Sequence, residues 1–188
     1  MIHRTGYWSK QHAPAHHHHS SALSRWICGF LSHDKRARIY DFGCGMGTYL
    51  DDLYASGHAD VVGVEGDPPS QNKPYTMIAA NLCSPFSLGK TGVVMSLEVG
   101  EHIPAAYTAV YLENLFRHAD RHLLLSWAVR GQGGHGHVNE LNNDEVVSLI
   151  EGNGFAHVAE ASTAARGIAE DHCWWFRGSF FVFERTGQ

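Results

Sequence analysis

Positive charge, paired cysteine and long apolar runs are all scarce in this 188-residue chain, and each shortage closes off a class of function. Fourteen Lys and Arg against 19 Asp and Glu leave a formal charge of −5, so there is no basic field to hold a phosphate backbone. Bulk nucleic acid is disfavoured as a partner, although Lys35, Arg36 and Arg38 form a local basic patch and 15 histidines would add charge at low pH. The four cysteines, Cys28, Cys44, Cys83 and Cys173, form no CxxC pair, which argues against a disulfide framework or a zinc ribbon. No apolar run approaches the roughly 20 residues needed to cross a bilayer. The opening Met1-Ile2-His3-Arg4-Thr5-Gly6 lacks the charged-then-apolar pattern of a signal peptide, so a cytoplasmic location is expected.

What is present is the composition of a globular domain, 44% hydrophobic and 18% charged, in a length that fits one core. One domain over residues 1–188 is expected, with an irregular N-terminal arm over 1–19 and the core over 20–185. The arm carries Tyr7, Trp8, His12 and Pro14, and ends in the run His16 to His19, to which composition assigns no catalytic role. Ser20 or Ser21 is positioned to cap a helix reaching about Leu31, with Leu23, Trp26, Ile27, Phe30 and Leu31 at helical spacing.

From Arg38 the pattern becomes short apolar strands separated by helices. Strands are predicted at Ile39 to Phe42, Val61 to Val64, Thr76 to Ala80, Val93 to Leu97 and Leu123 to Trp127. Helices are predicted near Thr48 to Ser56, Ala105 to His118 and Asn143 to Asn153. This alternation implies a mostly parallel sheet covered on both faces. Ala156 to Ala161 and Phe180 to Glu184 read as two closing strands with no long helix between them, hence an antiparallel edge.

The chemistry concentrates at Asp41-Phe42-Gly43-Cys44-Gly45-Met46-Gly47. A strand ending in an acid, then three alternating glycines and a helix, makes a tight turn whose backbone can approach a ligand closely. An ordinary strand-to-helix loop explains the run alone equally well. The second strand, however, ends in Glu65, a carboxylate able to accept both hydroxyl hydrogens of a ribose. A nicotinamide dinucleotide fits less well. Its fingerprint needs a glycine or alanine where Thr48 stands, and its pyrophosphate would be repelled by Asp41, which would attract a cationic ligand.

With these residues the chain resembles the Rossmann-like class I S-adenosylmethionine-dependent methyltransferases over about residues 20 to 185. The resemblance implies a doubly wound, seven-stranded, mostly parallel α/β sheet with an antiparallel last strand and helices on both faces. It implies that Asp41, Gly43, Gly45 and Gly47 lie against the amino-acid part of S-adenosylmethionine, and that Glu65 holds the ribose. It also implies that Asn81 and Leu82 meet adenine, and that Glu98 forms the floor beside the methionine moiety. The methyl acceptor is left open: a small molecule accepting on oxygen or nitrogen comes first, and the end of a protein or RNA second.

Glu98-Val99-Gly100-Glu101-His102 follows the fourth strand and resembles the ExxEH of small-RNA 2'-O-methyltransferases and some quinone-biosynthesis O-methyltransferases. There the two acids, the histidine and a later histidine bind a divalent metal. His137, and after it His135, would be that later ligand here. The same pattern also occurs in relatives that bind no metal, so the assignment of metal ligands is none, with a divalent ion kept as an alternative. Without a metal, His102 and His137 are the candidate general bases, since imidazole titrates near neutrality. The glycine-rich loop Gly131 to Gly136 is expected to close over the substrate, and Trp174, Trp175 and Phe176 to be packing residues. A cofactor-binding partner protein without catalysis and an NAD-dependent oxidoreductase complete the alternatives; oligomeric state is not readable.

Overall fold

The computed structural model describes residues 1–12, 17–70 and 72–187, so Pro14 and His16 fall outside the described residues. Seven strands form one sheet: β1 (Ile39–Phe42), β2 (Val61–Glu65), β3 (Thr76–Ala79), β4 (Thr91–Ser96), β5 (Ala119–Ser126), β6 (Phe155–His157) and β7 (Phe180–Arg185). Their order is β3-β2-β1-β4-β5-β7-β6. The first five pair in parallel, and β7 runs antiparallel to both β5 and β6. The expected doubly wound sheet with an antiparallel last strand is the observed one.

Alternation along the strands decides which side chains go to which face. Tyr40, Phe42, Val62 and Val64 join one apolar cluster with α3 (Thr108–His118) and α4 (Asn143–Glu151). Ile39, Val61, Val93 and Met95 join the other, against α1 (Ser21–Phe30) and α2 (Thr48–Ala55). Because both faces are covered, β1, β2 and most of β4 are buried along their length.

α1 begins as its sequence predicts. Ser20 Oγ accepts the Leu23 N–H at 3.2 Å. The Glu170 carboxylate, 150 residues away, accepts from Ser20 Oγ, Ser21 Oγ and the Ala22 N–H at 2.8, 3.0 and 3.1 Å. The closing region departs from expectation. Only Phe155–His157 is a strand, and α5 (Ala159–Gly167) follows it at once, where extended chain was predicted to Ala161. Its sequence AEASTAARG is alanine-rich, a composition that favours helix, and Ala165 is buried against the sheet. A short helix, α6 (Phe176–Ser179), then leads into β7, which inserts between β5 and β6.

Residues 1–9 are less irregular than predicted: they fold back on themselves, with an antiparallel bridge between Ile2 and Trp8 and a His3 N–H to Tyr7 carbonyl bond of 2.8 Å. Among the described residues, no helix is long and apolar enough to cross a membrane.

Candidate active site

Strand order reverses between β1 and β4, and the crevice at their carboxyl ends opens into a cavity of about 310 Å³. The glycine loop forms one wall. Gly43, Gly45 and Gly47 all have positive φ, at 80°, 54° and 76°. A Cβ on Gly43 would lie 2.5 Å from Val99 Cγ2, so the loop and the segment after β4 approach as closely as they do only because that position is glycine.

At the end of β2, Glu65 is held by the same loop. Its carboxylate accepts the Gly45 N–H at 2.9 Å and the Gly66 N–H at 2.7 Å. Burial raises its pKa, and these amides act against the rise. Asp41 is 3% exposed, and burial followed by the Glu65 charge pushes its carboxyl up to about 7. Asp41, Gly43, Glu65, Asn81, Leu82 and Glu98 line the cavity, whereas Gly45 and Gly47 do not. The Asn81 side-chain oxygen is taken by the Cys83 N–H at 3.0 Å, so the free valence at this position is its amide nitrogen.

Glu98 is the single described non-glycine residue with positive φ, at 55°. Its N–H donates to Ser126 Oγ at 2.6 Å, Ser179 Oγ donates to its carboxylate at 3.4 Å, and burial pushes its pKa up to about 7. Glu101 is fully buried, and neither carboxylate oxygen has a hydrogen-bond partner among the described residues. Burial, then the nearby Glu98 charge, holds its pKa well above the ordinary range. Potential ligand atoms of Glu101, His102 and His137 all lie within 4.8 Å of one another.

Both imidazoles have a fixed tautomer. His102 Nδ1 faces the Gly136 carbonyl at 3.1 Å, and a carbonyl can only accept, so Nδ1 carries the proton and Nε2 the lone pair. His137 Nδ1 lies 2.9 Å from Glu140 Oε1, which orients that ring in the same sense. Burial lowers the pKa of His102 to about 4, keeping it neutral and making it a weak proton acceptor.

The loop expected to close over the substrate is held by several hydrogen bonds. Glu140 accepts the Gly131 and Gly133 N–H groups at 2.8 Å each, and the Glu101 carbonyl accepts from Val138 and Asn139 at 2.8 and 3.0 Å. Trp127 Nε1 donates to the Asn139 carbonyl at 2.6 Å. Glu140 was missed in the sequence; its position three residues after His137 is the one signal that could have found it.

The arm, expected only as an irregular segment, closes the remaining side of the cavity. Tyr7 and Trp8 line the cavity, but His12 does not. The Tyr7 ring lies over Gly66 and the His17 ring over Gly45, so close that a Cβ on either glycine would sit 2.1 Å from them. His18 meets Trp175 edge-on at 5.5 Å, and His19 lies tilted against Tyr49 at 4.8 Å. Trp175 and Phe176 line the cavity, whereas Trp174 is half exposed.

No protein-family model matches the chain, and no curated protein does. Solved structures do match. The magnesium protoporphyrin IX methyltransferase of Synechocystis PCC 6803, with bound S-adenosylmethionine, is 16% identical, with a TM-score of 0.66 over 94% of this chain and 90% of that one. The 1,6-didemethyltoxoflavin-N1-methyltransferase of Burkholderia thailandensis, with S-adenosylhomocysteine and its acceptor bound, is 14% identical, with a TM-score of 0.66 over 89% and 80%. The methyltransferase domain of bacterial CtHen1-C is 15% identical, with a TM-score of 0.62 over 88% and 98%. At such identities the likeness is one of fold, and the chain has the Rossmann-like methyltransferase fold that its sequence resembles.

Proposed function

We propose that this protein is an S-adenosylmethionine-dependent methyltransferase acting on the oxygen or nitrogen of a small molecule. The observation that carries the reading is the Glu65 carboxylate, clamped by the Gly45 and Gly66 amides at the wall of a cavity that Asp41, Gly43, Asn81 and Glu98 also line. Two of its lone pairs are used by these amides, and others are free for the two hydroxyls of a ribose. Asp41 adds negative charge where the ammonium group and the sulfonium of the ligand would lie. Asn81 and Leu82 would border the adenine. Solved structures of the same fold contain S-adenosylmethionine or S-adenosylhomocysteine, which supports the choice of ligand.

S-adenosylmethionine supplies a methyl on a positive sulfur, which a lone pair on the acceptor takes as the carbon–sulfur bonding pair returns to sulfur. The residues of this chain then have three tasks. The arm and the loop around Gly134 exclude water and hold the acceptor in line. His137, with Glu140 behind it, accepts the acceptor's proton. His102, neutral and anchored to Gly136, offers Nε2 to position the group that loses it.

Isothermal titration with S-adenosylmethionine, S-adenosylhomocysteine and NADH tests the first step. Micromolar binding of the first two and none of NADH is expected; no binding of either sulfur compound overturns the reading, and NADH binding alone favours an oxidoreductase. Binding without turnover across a broad acceptor screen favours a non-catalytic partner protein.

A second reading is favoured by the orphaned Glu101 carboxyl. A buried carboxylate and two imidazoles with outward Nε2 lone pairs are a donor set suited to Mg, Mn or Zn, and such an ion would relieve the desolvation of Glu101. Glu101, His102 and His137 would hold the ion, which would polarise an acceptor hydroxyl. Elemental analysis, and activity that survives EDTA in both wild type and Glu101→Gln, would remove the metal.

A further inference from the structure

The lining of the cavity has a composition that selects among acceptors, and the inference drawn from it rests on the methyl-transfer reading above. Asp41, Glu65, Glu98 and Glu101 line the cavity, and no Lys or Arg does. The residues outside the described ones are Ala13, Pro14, Ala15, His16, Gln71 and Gln188, so no further Lys or Arg can come from them. Of the cations in the surrounding segments, Lys10 pairs with Asp67 at 3.6 Å, Lys73 with Asp51 at 2.7 Å and Arg130 with Glu145 at 2.7 Å, and Arg4, beside Thr5, is exposed and does not line the cavity. An acceptor bearing a carboxylate, a sulfonate or a phosphate would lose its hydration without gaining a fixed positive partner.

The wall itself is made of flat rings. Trp8 lies tilted against His135 at 5.1 Å between ring centres, and edge-on to His102 at 5.7 Å and His17 at 6.2 Å. His102 meets His137 edge-on at 5.0 Å. Trp8 is set in place by its bridge to Ile2, and the turn of that hairpin presses on the chain at His102. There a Cβ on Gly6 would lie 2.2 Å from the His102 carbonyl oxygen. His102 and His137 are each held through Nδ1, which leaves their Nε2 lone pairs as hydrogen-bond acceptors in the cavity lining. Such a surface recognises a molecule that is flat, lacks negative charge and donates a hydrogen bond.

We infer that the methyl acceptor is a planar, uncharged aromatic compound carrying a hydroxyl or ring N–H, and that Trp8 is the residue on which it stacks. Stacking on an indole face and burial of the ring supply the affinity, and the hydrogen bond from the hydroxyl or N–H fixes which edge faces the cofactor side. A sugar, which has no aromatic face, and an RNA end, which brings phosphates, are the classes this surface disfavours.

The test is calorimetry on protein saturated with S-adenosylhomocysteine, in EDTA so that no metal ion supplies positive charge. The probes are 2-naphthol, 3-hydroxy-2-naphthoate, 2-naphthyl phosphate, trans-2-decalol and a ten-nucleotide RNA. 2-Naphthol is expected to bind at least about 10-fold more tightly than each of the others. Trp8→Ala is expected to weaken it by about 10-fold, and Trp8→Phe to recover most of the loss, with unchanged circular dichroism in both. Equal or tighter binding of an anionic probe, of the decalol or of the RNA overturns the inference. So does an unaltered 2-naphthol affinity in Trp8→Ala, or the absence of saturable binding by 2-naphthol and by indole and hydroxy-phenazine probes added to the panel. Failure of S-adenosylhomocysteine to bind would instead sink the methyl-transfer reading, and titration of the ligand-free protein with 2-naphthol still reads the aromatic site separately.

Discussion

The Glu140 carboxylate accepts from His137 Nδ1 at 2.9 Å and, through the same two oxygens, from the Gly131 and Gly133 amides at 2.8 Å each. Partial burial works against its charge, but the bonds from His137 and the two amides win, holding Glu140 below its ordinary pKa. Glu140→Gln keeps the shape and leaves one oxygen for three donors, with an amide N–H group facing another N–H. Faster hydrogen–deuterium exchange is expected over residues 131–137, and turnover lower by about 10-fold or more, since charge-assisted bonds are worth roughly 1.5–3 kcal/mol. Affinity for S-adenosylmethionine, which the proposed function assigns to Asp41 and Glu65, should be little changed. Unchanged exchange in the loop refutes the role given to Glu140.

Asp41 predicts a pH dependence for cofactor binding. Its carboxyl, raised to about 7 by burial and by Glu65, is half protonated near neutrality in the ligand-free protein. A cationic ligand favours the carboxylate, so binding releases a proton and affinity rises with pH, by up to about 10-fold per unit below 7, flattening above it. The sign for folding is the reverse: raised above its unfolded value, this group stabilises the ligand-free fold at low pH and the stability is lost as pH rises to about 7. Calorimetry with S-adenosylmethionine from about pH 6 to about pH 8 should show the slope in wild type and lose it in Asp41→Asn. The ligand titrates identically in both, so the difference isolates Asp41, and parallel profiles would refute the assignment.

The part of this site visible in the sequence is the part built from local pattern. β1 and β2 are short apolar runs that carry Asp41 and Glu65 near their carboxyl ends, with the glycine run following the first, and the structure brings Asp41 and Glu65 to one cavity. Glu98, Glu101 and His102 lie in one short segment, and His137 joins them across 35 residues because Val138 and Asn139 hydrogen-bond to the Glu101 carbonyl. What was not legible depends on distant contacts. Nothing around Tyr7, Trp8 or His17 states that they lie over Gly66 and the loop; that follows from the Cys83 thiol on the Thr5 carbonyl and from Lys10 on Asp67. α5 was misread because short runs of small apolar residues fit a strand or a helix until packing chooses. Glu170, which caps a helix 150 residues away, carries no local mark at all.

The arm's position can be tested at Gly6, where φ is 94° and an added Cβ would lie 2.2 Å from the His102 carbonyl oxygen. Neither partner is a flexible side-chain tip, so Gly6→Ala must displace the hairpin, in addition to a backbone cost of roughly 1–3 kcal/mol. Trypsin should then cut after Arg4 and Lys10 several-fold faster, and the Trp8 emission should shift as it leaves the rings around it. Gly89→Ala is the control, with φ of 84° but nothing within 4 Å of its Cβ, and should leave trypsin cleavage of the arm unaltered. Equal cleavage rates in wild type and Gly6→Ala would show that the arm is not seated on His102.

Asn114 supports the segment that carries Leu82 to the cavity wall. It is fully buried on α3, donates through Nδ2 to the Leu82 and Ser84 carbonyls at 3.1 and 3.0 Å, and accepts the Phe86 N–H at 3.3 Å. One side chain thus satisfies three backbone groups in the segment leaving β3, and Leu82, which borders the cavity, belongs to that segment. Asn114→Ala strips all three, and at about 1–3 kcal/mol for each buried polar group, less what entering water restores, a loss of about 3 kcal/mol is expected in urea unfolding. Asn114→Asp keeps the bond from Phe86 but turns a carboxyl towards two carbonyls, so it should fall below wild type as well. If the segment positions Leu82 against adenine, both variants should also weaken S-adenosylhomocysteine more than they weaken homocysteine or methionine, neither of which reaches that wall. An equal proportional loss for all three ligands would mean that Asn114 serves the fold and not the ligand.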